Sequence, residues 1–202
     1  MIITIGREFG SGGRELGKRL AEDLGIAYYD KEIVSEVAKN TSLAYEYVQN
    51  IIERRPIIYY PISIGHSFED YNGYIANQHY SIHAEQEKVI KELASKSDCV
   101  IVGRCADYIL DDLHPFRIFV YSDMPTKIKR CVEKGEVDKN LSEKKLIKAI
   151  KDVDRQRADY YNFFTGRKWG DKDNYDLMVN TSNNSIKEIE SGIIAMVKSL
   201  YK

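Results

Sequence analysis

The sequence predicts an α/β fold in which a mostly parallel sheet of five strands lies between two layers of helices. Short apolar runs of strand length alternate along the 202 residues with longer stretches of helical periodicity. This alternation is typical of parallel sheets that carry helices on both faces. A glycine-rich segment between the first apolar run and the first helical stretch is the third observation, because ligands of such sheets bind beyond the carboxyl ends of the strands.

The predicted strands are short runs rich in valine, isoleucine and aromatic residues. Four runs are distinct, and a fifth over residues 26–29 is weaker. The four distinct runs cover residues 1–5, 99–102, 116–121 and 177–180. Their continuous apolar character indicates strands that are buried on both faces.

The helical stretches carry apolar residues three and four positions apart. The first covers residues 14–24 and ends at Gly25, and the second follows Asp30, a residue type that caps helices, and reaches about residue 39. The later stretches are 74–95, 125–134, a segment around 146–153 and a last helix after Ser185.

The composition excludes some partners and permits others. There are 30 basic and 31 acidic residues, which gives a net charge of −1. Proteins that bind nucleic acid through general electrostatics usually have a basic surplus, so we expect no nucleic-acid partner. A small phosphorylated ligand remains possible, since it requires only local positive charge. The sequence has no apolar window of membrane length and no basic leader, and its three cysteines are scattered, so we expect a cytoplasmic protein without a membrane partner.

The segment GREFGSGGRE, which begins at Gly6, predicts a phosphate-binding loop that leads from a strand into a helix. Gly10, Gly12 and Gly13 allow backbone N–H groups to converge on an anion. Compared with the pattern G-x-x-x-x-G-K-S/T, the lysine position holds Gly13, the hydroxyl position holds Arg14 and the first glycine position holds Arg7. Arg14 or Arg7 can supply the missing positive charge, and Ser11 is a spare hydroxyl. The alternative is a glycine-rich turn with a purely structural role.

Four collinear segments together resemble the cytidylate kinase-like family of P-loop proteins. They are ITIGREFGSGGRELGKRLAEDLG, IAYYDKEIVSEVA, VIVGRCADYIL and DVDRQRADYYNFFTGRKWGDKDNYDLMVNTS. The resemblance covers nearly the whole chain and implies a three-layer α/β/α fold of the P-loop NTPase type, in a single domain over residues 1–202. It also implies ATP as the phosphoryl donor, with Mg²⁺ bound to the ATP but without the usual loop hydroxyl.

The resemblance implies a role for several side chains outside the loop. Asp30 and Arg104 are expected near the acceptor nucleotide, and Asp107 is expected either to orient Arg104 or to bind a base. Arg155 and Arg157 are expected to close over the γ-phosphate. The structural alternatives are a surface ion pair for Arg104, a helix N-terminal acid for Asp107 and a solvated helix face for the two lid arginines.

Two segments are predicted to border the site: an inserted acceptor-side cap over about residues 41–72, and a lid over about residues 142–172. The cap is rich in tyrosine, so it either lines an acceptor pocket or forms a surface through which a homo-oligomer can assemble. His79, His83 and Glu87 have a spacing that can gather metal ligands, but a half-buried helix face is the favoured interpretation and we expect no resident metal.

Two functions follow from this interpretation. The first is transfer of a phosphoryl group from ATP to a nucleoside monophosphate of the CMP type, or to another small phosphorylated acceptor. The second is a nucleotide-binding or nucleotide-sensing module that has lost catalysis with the loop lysine.

Overall fold

The computed structural model describes residues 1–52, 69–138 and 141–201, and for residues 69–76 it describes the backbone alone. Its centre is a parallel sheet of five strands in the order β2-β3-β1-β4-β5. The strands are β1 (Ile2–Arg7), β2 (Ala27–Tyr29), β3 (Cys99–Val102), β4 (Phe116–Tyr121) and β5 (Leu177–Asn180). The predicted α/β fold with five parallel strands is therefore confirmed, with strand bounds within two residues of the prediction.

Six of the eight helices that the structure describes correspond to predicted helical stretches, whereas the helices over Tyr45–Ile52 and Ala106–Ile109 were not predicted. The eight helices are α1 (Gly13–Leu24), α2 (Lys31–Thr41), α3 (Tyr45–Ile52), α4 (Glu69–Lys96), α5 (Ala106–Ile109), α6 (Met124–Glu133), α7 (Glu143–Thr165) and α8 (Ile186–Leu200). Ser185 begins α8 with a capping box: its hydroxyl accepts the Glu188 N–H, and the Glu188 carboxylate accepts the Ser185 N–H. Two helices are longer than predicted, because α4 begins at Glu69 and α7 continues to Thr165.

Two hydrophobic cores separate the three layers. Ile3, Ile5 and Val102 face α1 and α8, whereas Cys99 and Ile101 face the layer that contains α2, α3 and α4. Neighbouring residues of β3 thus enter opposite cores, as the alternation of side chains along a strand requires. This is why β3 is buried along its whole length and why its sequence is continuously apolar.

The predicted cap and lid correspond to different amounts of described structure. Of the cap, residues 53–68 and the side chains of 69–72 lie outside the described residues, and the described part is the end of α2, helix α3 and the backbone of the first residues of α4. The lid segment is mostly the 23-residue helix α7, followed by an irregular turn. The roles of both segments, and self-association through the cap tyrosines, remain predictions.

The carboxyl ends of the five strands meet at one edge of the sheet, where β1 continues into the glycine-rich loop. β2 ends next to Asp30, and β3 ends next to Gly103 and Arg104. Residues far apart in the sequence therefore converge at this edge. Among the helices that the structure describes, none is long and apolar enough to cross a membrane.

Helix α1 packs closely on the sheet at Gly17. A Cβ atom at this position would lie 2.8 Å from Cγ2 of Val102 and 3.0 Å from Cδ1 of Ile5. We expect Gly17→Ala to lower the free energy of unfolding by about 1–3 kcal/mol through overpacking, although alanine is the better helix former. The matched control is Gly192→Ala in α8, where a Cβ meets no atom within 4 Å and should leave stability unchanged or slightly higher. Equal urea midpoints for the two variants would contradict this packing.

Candidate active site

The glycine-rich loop has a conformation that its glycines dictate. Gly10 and Gly12 adopt φ angles of 74° and 86°, in the left-handed region that side chains disfavour. A Cβ atom at Gly10 would lie 2.7 Å from Sγ of Cys131 and 2.9 Å from the carbonyl oxygen of Lys127. The loop therefore lies directly against α6, and α1 begins immediately after it with its N-terminal N–H groups at the loop.

Hydrogen bonds from other elements hold the middle of this loop. Arg130 donates from Nη1 to the carbonyl oxygen of Ser11 at 2.9 Å, and the Thr181 hydroxyl donates to the same oxygen at 2.7 Å. The Ser11 side chain is fully buried, and its hydroxyl donates to the carbonyl oxygen of Glu8 at 2.8 Å. The hydroxyl that the sequence suggested as spare is thus engaged within the loop, and the Ser11 N–H also donates to the carbonyl oxygen of Glu8, at 3.4 Å.

A buried lysine that the sequence analysis missed supports the loop from below. Nζ of Lys127 lies 2.7 Å from Oε2 of Glu8 and 3.0 Å from Oδ2 of Asp154 in α7. The other oxygen of Asp154 accepts the N–H of Phe9 at 2.6 Å. Burial raises the pKa of Asp154, against the opposing effects of the Phe9 N–H and Lys127. Nothing in the local sequence distinguishes Lys127 from Lys129, the other lysine of α6. Its four-residue spacing from buried Cys131 is the signal that places it on the inner face of the helix.

Arg7 occupies the centre of the candidate site. It is 8% exposed, and its side chain passes between two glycines from different segments. A Cβ atom at Gly13 would lie 2.5 Å from Cβ of Arg7, and one at Gly103 would overlap Nη1 of its guanidinium. The first glycine position of the loop pattern therefore carries a buried cation that fills the space beside both glycines.

Asp30 lies beside Arg7 and Arg14, and it does not cap α2. The structure gives Asp30 no capping hydrogen bond, which corrects the predicted cap. Its Oδ2 lies 2.6 Å from Nε of Arg14, and its Oδ1 lies 3.9 Å from Nη2 of Arg7. A buried carboxylate is stable beside two cations, so charge pairing explains its position better than helix capping does.

Positive charge exceeds negative charge around Arg7. Burial lowers the pKa of Arg7 to about 9, and the charges of Arg157, Arg104 and Arg14 act in the same direction, while Asp30 opposes them. Arginine nevertheless keeps its charge at neutral pH. Burial also acts to lower the pKa of Arg14, but the charge of Asp30 and the hydrogen bond to it, together with Tyr28 and Glu136, outweigh burial and raise that pKa. The cluster is therefore a site at which an anion would relieve repulsion among cations.

The turn after β3 carries backbone strain. Gly103, Arg104 and Cys105 have successive φ angles of 74°, 62° and 56°, and the last two are not glycine. The left-handed conformation costs such residues roughly 1–2 kcal/mol each. Fully buried Gln86 holds the turn by donating from Nε2 to the carbonyl oxygen of Arg104 at 3.1 Å. Strain of this kind concentrates at functional sites, and here the strained turn carries buried Arg104, whose charge lowers the pKa of Arg7.

Asp107 is buried in the first turn of α5 and accepts a hydrogen bond from the Tyr161 hydroxyl at 2.6 Å. Burial raises the pKa of Asp107, although the bond from Tyr161 acts in the opposite direction. The structure thus gives Asp107 a tyrosine as its hydrogen-bond partner. Both residues line the same cavity as Arg104, which leaves a contact between Asp107 and an acceptor as a prediction.

The two lid arginines occupy different surroundings. Arg157 donates from Nη1 to the carbonyl oxygen of Arg7 at 3.4 Å, and its guanidinium lies 5.6 Å above the ring of Phe9. Arg155 is 68% exposed and bonds to Asp152 of the same helix at 2.8 Å. The structure therefore brings Arg157 into the site and leaves Arg155 at the surface of α7.

Two cavities open at the carboxyl edge of the sheet. The narrow one, of about 40 Å³, is lined by the turn after β3 and by aromatic side chains, among them Tyr160, Tyr161 and Trp169. The wide one, of about 300 Å³, is lined by the glycine-rich loop, Arg14 and basic residues of α1 and α6. Arg7 and Arg157 line both cavities, so they lie where the two meet.

The remaining candidates pack into the structure around the cavities. His83 stacks on Phe164 with ring centres 3.8 Å apart, and its ring nitrogens contact Tyr160 at 2.9 Å and Glu87 at 3.3 Å. In the described residues, no group of three histidine, cysteine or acidic side chains is placed to hold a metal ion.

A parallel sheet with a glycine-rich loop between β1 and α1, and with arginines converging on that loop, defines the class of P-loop kinase-fold proteins. A model of the cytidylate kinase-like family matches residues 2–183. The chain belongs to this family.

Similar proteins agree with this assignment. The cytidylate kinase of Staphylothermus marinus is 22% identical over 203 residues and covers 100% of this chain and 99% of its own length. The cytidylate kinase of Pyrococcus horikoshii is 24% identical over 98% of this chain and 87% of its own. The crystal structure of an uncharacterized protein from Eubacterium ventriosum is 32% identical, with a TM-score of 0.72 over 98% of this chain and 99% of that one. Shikimate kinase from Bacteroides thetaiotaomicron shares the fold at 11% identity, with a TM-score of 0.56 over 98% of each chain.

The Tyr161–Asp107 bond gives a prediction with a defined pH dependence. In Tyr161→Phe the buried carboxylate loses its donor, so the free energy of unfolding should fall by about 1–3 kcal/mol at neutral pH. Because burial raises the pKa of Asp107 in the folded state, protonation relieves the unpaired charge, and the deficit should shrink as the pH falls through that pKa. Urea unfolding of both proteins at neutral and mildly acidic pH measures this change. Tyr201→Phe, at a residue 45% exposed, is the control, and a deficit that grows in acid would refute the expectation.

Proposed function

We propose that the chain transfers a phosphoryl group from ATP to a small phosphorylated acceptor, with a nucleoside monophosphate of the CMP type as the expected substrate. The observation that carries this proposal is the position of Arg7 and Arg157, which line both cavities at their junction. During transfer, a phosphoryl group lies between its donor and its acceptor, just as these two arginines lie between the two cavities. The names of the relatives, cytidylate kinases over nearly the full chain, support the nucleotide as acceptor.

The wide cavity suits the phosphates of the donor. Its floor is the loop with left-handed Gly10 and Gly12 and the N-terminus of α1, which together direct backbone N–H groups at an anion. Arg14, Lys18 and Arg130 line it as well. ATP enters as its Mg²⁺ complex. The nearby carboxylates of Glu8 and Asp30 already contact Lys127 and Arg14, so the phosphates and water are the expected ligands of the ion.

The narrow cavity suits the acceptor once it widens. Its 40 Å³ is far below the roughly 300–1,000 Å³ of small-molecule sites, and α7 supplies Arg157, Tyr160 and Tyr161 to its wall. We therefore expect α7 to move outward when the acceptor binds, which is the motion of a lid. The arginines at positions 7, 104 and 157 would bind the acceptor phosphate, and the aromatic wall would contact the rest of the molecule.

In this reaction the protein would contribute mainly by stabilising the negative charge of the transferring phosphoryl group. An oxygen of the acceptor phosphate forms a bond to the γ-phosphorus, and the bond from that phosphorus to the bridging oxygen breaks, so that ADP leaves with the electron pair. Charge spreads over the transferring oxygens in this step, and fixed arginines stabilise it in a site from which water is excluded. Arg7 and Arg157 are placed for this role.

A second candidate function is nucleotide binding without turnover. It is favoured by Gly13 in place of the loop lysine and by the inward bond of the Ser11 hydroxyl. ADP production from ATP and Mg²⁺, measured with CMP, dCMP, UMP, AMP, GMP and no acceptor, separates the two. Acceptor-dependent ADP supports phosphoryl transfer. Calorimetric binding of ATP by folded protein with no ADP formed supports the second function, and absence of binding contradicts both.

Arg157 and Arg155 form a matched pair on one helix. Arg157→Ala removes a charge from the junction of the cavities and should lower kcat by about 10³-fold, as loss of an arginine that stabilises phosphoryl transfer does. Arg155→Ala removes an exposed ion pair and should leave kcat within about threefold. Steady-state kinetics and thermal unfolding of both variants provide the comparison. Equal losses from the two substitutions would reject the assigned role of Arg157.

A further inference from the structure

We propose that Arg7 has taken over the role of the loop lysine and that Gly13 lacks a side chain because Arg7 needs its space. This inference rests on the proposed phosphoryl transfer and assigns one residue of that site. In the usual pattern the first position is glycine and the seventh is lysine. In this chain the first position is Arg7 and the seventh is Gly13, so the cation and the glycine have exchanged places.

The two positions compete for the same volume. A Cβ atom at Gly13 would lie 2.5 Å from Cβ and 3.2 Å from Cγ of Arg7. Gly13 begins α1 without a positive φ angle, so its backbone would accept a lysine. The obstacle to a side chain at position 13 is therefore mainly Arg7 itself, with Cβ of Val120 a further 3.3 Å neighbour.

Gly103 borders the guanidinium end of the Arg7 side chain, as Gly13 borders its stem. A Cβ atom there would overlap Nη1 and would lie 2.7 Å from Cζ of the same arginine. The Nη1 end of the guanidinium thus lies against the strained turn after β3, in which the carbonyl oxygen of Arg104 accepts a hydrogen bond from Gln86. Gly13 packs on the stem of the side chain and Gly103 on its guanidinium, so Arg7 is held in place before any ligand arrives, which is the arrangement that electrostatic catalysis requires.

Arg14, the other candidate for the lysine's role, is held differently. Its Nε lies 2.6 Å from Oδ2 of Asp30, and its side chain is 49% exposed. It lines only the wide cavity and not the narrow one. Arg7 is buried, lies 3.9 Å from the same carboxylate and lines both cavities. The planar guanidinium can contact two phosphate oxygens at once, so Arg7 can reach donor and acceptor oxygens from one position.

The exchange can be reversed by mutation. We expect Arg7→Gly to lower kcat by about 10³-fold and to weaken calorimetric binding of ADP at least tenfold, with a smaller effect on AMP. Gly13→Lys in the parent should lower Tm by on the order of 5 °C, because the new side chain collides with Arg7. The double variant Arg7→Gly/Gly13→Lys should regain most of that Tm and recover kcat at least tenfold above Arg7→Gly. Arg14→Ala, the matched control, should lower kcat less than tenfold.

Two further measurements keep the inference separate from the proposed function. Arg7→Lys retains the charge and loses the planar fork, so it should fold with nearly the parent Tm and still lose most of kcat. If the parent makes no ADP, the proposed function fails, and ADP binding by the single and double variants then decides the inference. Recovery of Tm and ADP affinity in the double variant supports the exchange. Additive losses in the double variant, or a loss in Arg14→Ala that equals the loss in Arg7→Gly, would overturn it.

Discussion

The buried guanidinium of Arg7 is the constraint on which the rest of the candidate site depends. A charged group at 8% exposure is costly unless other groups compensate it. Asp30 compensates part of this charge, since it is buried between Arg7 and Arg14. The remaining positive charge is what makes the site attractive to an anion. The same side chain explains two glycines that lie 90 residues apart in the sequence, Gly13 and Gly103, because neither position has room for a Cβ atom beside it.

Helix α7 connects this centre to both cavities. Asp154, Arg157 and Tyr161 follow each other at three- and four-residue spacing, so they lie on one face of the helix. They contact the Phe9 N–H, the Arg7 carbonyl oxygen and Asp107 respectively. A movement of α7 would therefore change the loop, the junction of the two cavities and the narrow cavity together. This shared face is the physical basis for regarding α7 as the lid, and buried Lys127 links its position to the loop from α6.

Membership of the cytidylate kinase-like family fixes the architecture more firmly than the chemistry. The family model spans residues 2–183, and distant P-loop kinases share the fold at 11–17% identity. Function depends on the particular side chains that a fold presents, and in this chain the loop differs from the general pattern at its first, seventh and eighth positions. These differences are coupled in the structure. Gly13 packs against Arg7, and Arg7 and Arg14 both lie beside the carboxylate of Asp30.

The sequence by itself determined the five parallel strands, the glycine loop and the bounds of α1, α2 and α6, because these depend on local periodicity and on single residues such as Gly10 and Gly12. It also selected Arg7, Arg104 and Arg157 as candidate site residues, which the structure brings to one cavity, yet it did not separate Arg157 from Arg155 or find Lys127. It assigned Asp30 a capping role that the structure replaces with ion pairs. Only the tertiary structure decided these matters, since burial and charge pairing arise when strand ends distant in the sequence meet. A local pattern shows which residues can carry charge, but the packing of β1, β3 and α7 decides which of those charges lie in the site.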